Sequence, residues 1–126
     1  MSITCGIDIR KKDTHECVDC SSYVSWKNLH VDMWICDWIF TYKSPGEQEF
    51  FEHQGECVRR SIRTDDLLRM ADDMINRRFD VCPDAYKFFS GIATEEDLVA
   101  DYGMFFRELA EKVQDDEMLV YYDCGN

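Results

Sequence analysis

The sequence predicts a small α+β domain, with residues 1–126 forming one globular unit. Its N- and C-terminal strands should share one sheet, covered by two or three amphipathic helices. Three observations carry this expectation. Apolar residues alternate at Ile3, Cys5, Ile7 and Ile9; an apolar run, Met118-Leu119-Val120-Tyr121-Tyr122, closes the chain; and helical periodicity fills much of the second half. Apolar residues make up 45% of the chain and aromatics 13%, enough for a single core at this length. Charge is interleaved with apolar residues, which argues against disorder.

The first element is a half-buried strand, because every second residue from 3 to 9 is apolar. Lys11, Lys12 and Asp13 break that pattern, and residues 13–22, polar and cysteine-containing, read as a loop. Residues 23–43 fit two periods. A helix would line up Trp26, Leu29, Met33, Cys36 and Phe40, whereas a strand would put Leu29, Val31, Met33 and Ile35 on one face. Length favours the helix, and Ser44-Pro45-Gly46 ends the element in either case.

Thr64 is placed to cap a second helix, with Asp65 and Asp66 in the first turn where negative charge suits the helix dipole. Leu67, Leu68, Ala71, Met74 and Ile75 form its expected buried stripe, with Arg77 and Arg78 in its last turn. Pro83 and Gly91 bracket an aromatic turn holding Tyr86, Phe88 and Phe89. Thr94 then caps a third segment, in which Leu98, Val99, Tyr102, Phe105, Phe106, Leu109, Ala110 and Val113 keep helical spacing. From Thr94 to Gln114 this helix would run roughly 30 Å. Gly103 inside it costs about 1 kcal/mol relative to alanine, a loss that the apolar burial offsets.

The charge is lopsided. Residues 64–126 hold 16 Asp and Glu against 6 Lys and Arg, while residues 1–63 hold 10 against 8; the whole chain is at −12. Such acidity disfavours nucleic acid and anionic membrane as partners and favours a basic protein surface. No stretch is apolar enough to span a bilayer, and the first residues lack the basic start and apolar run of an export signal. The expected setting is cytoplasmic, with the seven cysteines reduced. Cys36 and Cys124 then read as small core residues.

Three chemistries compete. Cys17 and Cys20, with His53 and Cys57 downstream, have ligand types and spacings that suit structural zinc, which takes four thiolate or imidazole ligands. Cys57 lies four residues after His53 and close to Arg59, Arg60 and Arg63, a setting that lowers a thiol pKa. An orienting group and an oxyanion hole are not legible around it, and no βαβ pattern follows the Cys17-x-x-Cys20 pair to suggest a redox motif. The third chemistry is the acidic face itself, with Asp72, Asp73, Asp101, Glu108, Glu111, Asp115 and Asp116 as the expected partner-binding residues.

Nine acids fall between Glu95 and Glu117, over roughly 34 Å if helical, where a duplex would present about twenty charges. Arg69, Arg77, Arg78, Arg107 and Lys112 interrupt the pattern, so the face suits a partial DNA mimic or a general acidic patch. The Arg59-Arg60-Ser61-Ile62-Arg63 cluster is expected to pair with nearby acids. The reading that follows is a non-enzymatic binding protein that occludes a basic surface, such as a nucleic-acid-binding one, on a nuclease, toxin or related complex. A phage anti-defence inhibitor of the anti-CRISPR or anti-restriction type, or a toxin-immunity protein, would have these features. The alternative is a small adaptor stabilised by zinc at Cys17, Cys20, His53 and Cys57; otherwise no cofactor is expected.

Overall fold

The computed structural model describes residues 3–24, 29–42, 51–82 and 96–125. Strand β1 (Ile3–Lys11) pairs antiparallel with β5 (Glu117–Gly125) along its whole length, so the two ends of the chain share the centre of the sheet. β2 (Cys17–Val24), β3 (Phe51–Gln54) and β4 (Cys57–Ile62) complete five strands in the order β2-β1-β5-β4-β3, every neighbour antiparallel. Three α-helices are described: α1 (Leu29–Tyr42), α2 (Thr64–Ile75) and α3 (Glu96–Lys112). The architecture is α+β, with the terminal strands paired as the alternation of residues 3–9 requires.

One face of the sheet carries Cys5, Ile7 and Ile9 of β1, Leu119 and Tyr121 of β5, and Ile62 of β4; each is at most 4% exposed. Trp34 and Trp38 of α1, Leu67, Met70 and Met74 of α2, and Tyr102 and Phe106 of α3 pack into the same core. Burying each side chain of this size contributes about 1.5–3 kcal/mol, so the core lies between this face and the three helices. The other face also holds buried groups: Val120 and Met118, with Asp8 satisfied by Arg10 at 3.1 Å.

Several local expectations change. Residues 17–22 are strand rather than loop. β2 pairs with β1 through two register shifts, and such irregularity erases the period-2 signal that would have marked it. The hairpin of β3 and β4 turns through Gly55 and Glu56, with Gly55 at φ +61°, a conformation that favours glycine.

Residues 29–42 are helical, as length favours, but the buried face is Val31, Trp34, Ile35, Trp38 and Ile39, while Phe40 is exposed. α1 is apolar on several sides, so periodicity alone did not orient it. The indoles do: Trp34 Nε1 donates to the Phe79 carbonyl and Trp38 Nε1 to Asp73 Oδ2, both at 2.9 Å.

α2 begins at Thr64, yet its N-cap is Arg63 and no side chain caps it. Its buried residues include Asp66, Leu67, Met70, Ala71 and Met74; Leu68 is exposed instead. Arg77 and Arg78 lie just past its end, with Arg77 in the left-handed region at φ 58°. The expected aromatic turn between Pro83 and Gly91 and the Thr94 cap fall outside the described residues.

α3 crosses α2 where Gly103 sits. A Cβ there would stand 2.6 Å from Ile75 Cγ1 and 3.2 Å from the Ala71 carbonyl oxygen. The glycine that weakens α3 on propensity grounds is what lets the two helices approach.

Candidate functional site

The expected acidic face divides into two sets. In the first, α2 and its C-terminal turn hold Asp72 and Asp73 among cations. Asp73 accepts the Trp38 indole N–H through Oδ2 and Arg78 Nε through Oδ1, both at 2.9 Å. Asp72 pairs with Arg78 Nη2, accepts Asn76 Nδ2 at 3.0 Å, and lies 3.6 Å from Arg107 Nη2 of α3. Asp116 is also paired, 2.7 Å from Lys11 Nζ; that hydrogen bond holds its carboxyl below the usual carboxylate range and raises the Lys11 ammonium. The charge of these three is answered within the chain.

The second set is Asp101, Glu108 and Glu111 on α3, with Asp115 in the turn beyond. All four are exposed, and among the described residues none forms an ion pair. Residues 101, 104, 108 and 111 follow spacings of three and four, so they share one stripe of the helix, about 15 Å long. Met104 stands in that stripe and is 49% exposed.

The cations that interrupt this pattern in the sequence are directed away from it. Arg107 reaches across to Asp72, and Lys112 reaches Asp19 of β2 at 2.7 Å. Arg69 is 3.1 Å from Asp66, Arg78 is held by Asp72 and Asp73, and Arg77 lies over the Phe79 ring. The result is a ridge of carboxylates around an exposed methionine, with no ion pair among the described residues. It can attract a cationic surface and offer it one polarizable apolar contact.

The proposed zinc ligands do not converge. Cys17 and Cys20 are on β2, one edge of the sheet; His53 is on β3, the other edge, and Cys57 is on β4. At about 4.8 Å between strands, β2 lies about 14 Å from β4 and about 19 Å from β3. His53 is opposite Val58 in register, so it projects from the opposite face to Cys57.

Cys57 is bonded instead to Cys124, its direct partner across β4 and β5, with Cα atoms 4.0 Å apart. Cys17 is also in a disulfide, and the Cys20 side chain lies outside the described residues. A disulfide sulfur is neither a thiolate ligand nor a nucleophile, so a role for Cys57 in zinc binding or catalysis would require reduction first. Among the described residues, no three His, Cys, Asp or Glu side chains are grouped to hold a metal ion. Cys124 is thus a cross-link rather than a core filler.

The remaining described thiols are Cys5, Cys36 and Cys82. Burial, with a hydrogen bond from Cys36 Sγ to Asp123 Oδ2 at 3.1 Å, pushes the Cys36 thiol up to about 12. Burial, with the charges of Asp37 and Asp73, raises Cys82 to about 12 as well. Both are therefore protonated and unreactive near neutral pH.

The Arg59–Arg63 cluster is resolved by strand alternation. Arg59 meets Glu52 at 3.5 Å and Arg63 meets Asp65 at 2.8 Å, as expected, but Arg60 faces the helices over the Phe40 ring and meets no carboxylate among the described residues. Its setting and the exposure of Met104 escaped the sequence reading. The available signals were the 101/104/108/111 spacing and the opposite facing of adjacent strand residues.

Compared with the known protein families, the curated proteins and the solved structures, the chain matches none. Among the described residues, no helix is long and apolar enough to cross a membrane.

Proposed function

We propose that this chain is a non-enzymatic binding protein whose α3 ridge covers a basic surface on a partner protein. The observation that supports this reading is that Asp101, Glu108, Glu111 and Asp115 are exposed and form no ion pair among the described residues, while α3's own Arg107 and Lys112 are engaged elsewhere. Unpaired carboxylates on one side of a helix raise the association rate with a cationic surface, and Met104 supplies an apolar anchor that slows departure. Three acids over about 15 Å are too few to imitate a duplex, which presents about nine charges in that length. The partner is therefore a basic patch rather than a full nucleic-acid channel. A phage-encoded inhibitor of a nuclease or defence complex, of the anti-CRISPR or anti-restriction type, or an immunity protein that neutralises a toxin, would be served by such a surface.

A cytoplasmic setting belongs to the same reading. The Cys57–Cys124 disulfide pulls against it, because such bonds persist in oxidising compartments. Thiol counting on protein recovered directly from cells, quenched with alkylating agent, decides between a reduced and an oxidised pair.

The test of function is affinity capture with the native chain and with D101K/E108K/E111K, at low and at high salt. A basic protein should be retained by the native chain, released by salt and lost by the variant, whose circular dichroism should be unchanged. Equal capture by both chains would exclude the ridge as the contact.

A further inference from the structure

Two apolar side chains are exposed beside one helix seam. Leu68 of α2 is 41% exposed, although helical spacing assigns it to the buried stripe, and Met104 of α3 is 49% exposed. Across the seam, Gly103 of α3 faces Ala71 and Ile75 of α2. At about 100° per residue, Leu68 lies about 60° and Asp72 about 100° round α2 from Ala71. On α3, Arg107 lies about 40° and Met104 about 100° round from Gly103. Arg107 Nη2 stands 3.6 Å from Asp72 Oδ1, which fixes these two flanks on the same side of the seam. The buried residues Leu67, Met70 and Met74 of α2 and Tyr102, Phe106 and Leu109 of α3 turn the other way, into the core. Leu68 and Met104 therefore border the outer side of the α2–α3 pair.

This surface is apolar beside the seam and negative along one flank, where Asp101, Glu108 and Glu111 are exposed. Its occupant must match both properties. A second copy of the chain would bring its own charge of −12, and nucleic acid or an anionic membrane would be repelled in the same way. An extended strand gains no ladder here, because helix backbone N–H and C=O groups are already bonded to one another. A helix, by contrast, can lay a ridge of side chains along the groove between two helices. Its anchors then recur at three- and four-residue spacing, and a methionine adapts its shape to them.

We infer that the outer side of the α2–α3 pair receives a basic amphipathic helix of the partner protein. The apolar stripe of that helix rests on Leu68 and Met104, and lysines or arginines on its flank meet Asp101, Glu108 and Glu111. The inference names the element that the α3 ridge covers, and so rests on the function proposed above.

The experiment titrates the full chain with three synthetic peptides, read by calorimetry and by NMR of the leucine and methionine methyl groups. The first peptide contains leucine and lysine, with the leucines at helical spacing. In the second, alanine replaces each leucine. The third has the composition of the first with leucine and lysine strictly alternating, a strand period. The first should bind saturably and shift Leu68 and Met104, and the other two should bind at least about tenfold more weakly. L68A/M104A, at exposed positions, should weaken the first peptide about tenfold with unchanged circular dichroism. D101K/E108K/E111K should abolish its binding. Equal binding of all three peptides, lost in D101K/E108K/E111K but kept in L68A/M104A, would overturn the helix and leave the ridge standing. Failure of the first peptide to bind would likewise overturn the helix, with the ridge still judged by affinity capture. Peptide binding that survives D101K/E108K/E111K would overturn the ridge and the inference together.

Discussion

The C-terminal end of α2 and the outer stripe of α3 are both acidic, yet they do opposite things with that charge. At α2, Asp72 and Asp73 meet Arg78, Arg107, Asn76 and the Trp38 indole, so their negative charge organises the fold. On α3, Asp101, Glu108 and Glu111 meet no cation among the described residues, so their charge is directed to solvent. The two stretches are similarly acidic as strings of letters. What separates them is whether a cation or a buried N–H lies within reach once the helices pack. A carboxylate of the first kind stabilises the folded chain, and one of the second kind is what the proposed contact would use.

The largest expected effect tests that division directly. D73A removes the acceptor of an indole N–H whose side chain is 1% exposed and also the Arg78 Nε contact, leaving Arg78 on Asp72 alone. Leaving a buried donor unpaired, together with a lost charged hydrogen bond, should cost about 2–3 kcal/mol in urea unfolding. D101A should fall within about 0.5 kcal/mol of the native chain. Equal costs would erase the distinction between the two regions.

G103A follows. Overpacking against Ile75 and the Ala71 carbonyl costs about 1–3 kcal/mol, and better helix propensity returns about 1 kcal/mol, leaving a net loss near 1 kcal/mol. It should also separate α3 from α2 and weaken the Arg107–Asp72 contact, visible as a change in the Arg107 Nε–H resonance.

The pH dependence gives smaller signatures. Cys36 is held protonated in the folded chain up to about 12, whereas its ordinary value is 9.0. The unfolded chain therefore ionises first, and the Cys36 contribution, full below pH 9, should be lost between pH 9 and about 12. C36S, whose hydroxyl does not ionise in that window, should show a shallower alkaline fall in melting temperature.

Asp116 supplies the acid counterpart. Its folded pKa is depressed by Lys11, so its contribution is full above the ordinary carboxylate value near 3.8 and is lost as pH falls through the lower folded value. D116N should flatten the acid limb of the melting profile slightly. Because the pair is exposed, this is the smallest of the effects.

How much was legible varies by element. The strand over residues 3–9, the helix from residue 64 and the helix ending near residue 112 were legible because each shows apolar residues at a single period. β2 was not, because its register shifts break alternation. α1 was legible as a helix but not in its orientation: an apolar surface on several sides leaves periodicity without a preferred face, and the Trp34 and Trp38 hydrogen bonds supply one. The zinc quartet failed as a constellation, since spacing along the chain says nothing about which strands become opposite edges of a sheet.

By itself the sequence determined the α+β class, the pairing of the chain's two ends and the acidity of the second half, all properties set by local periodicity and composition. Only the tertiary structure decided which acids meet a cation among the described residues, and that Cys57 meets Cys124. Hydrogen bonds, disulfides and ion pairs act over a few ångströms, and groups far apart in sequence come within that range only when the sheet and helices assemble.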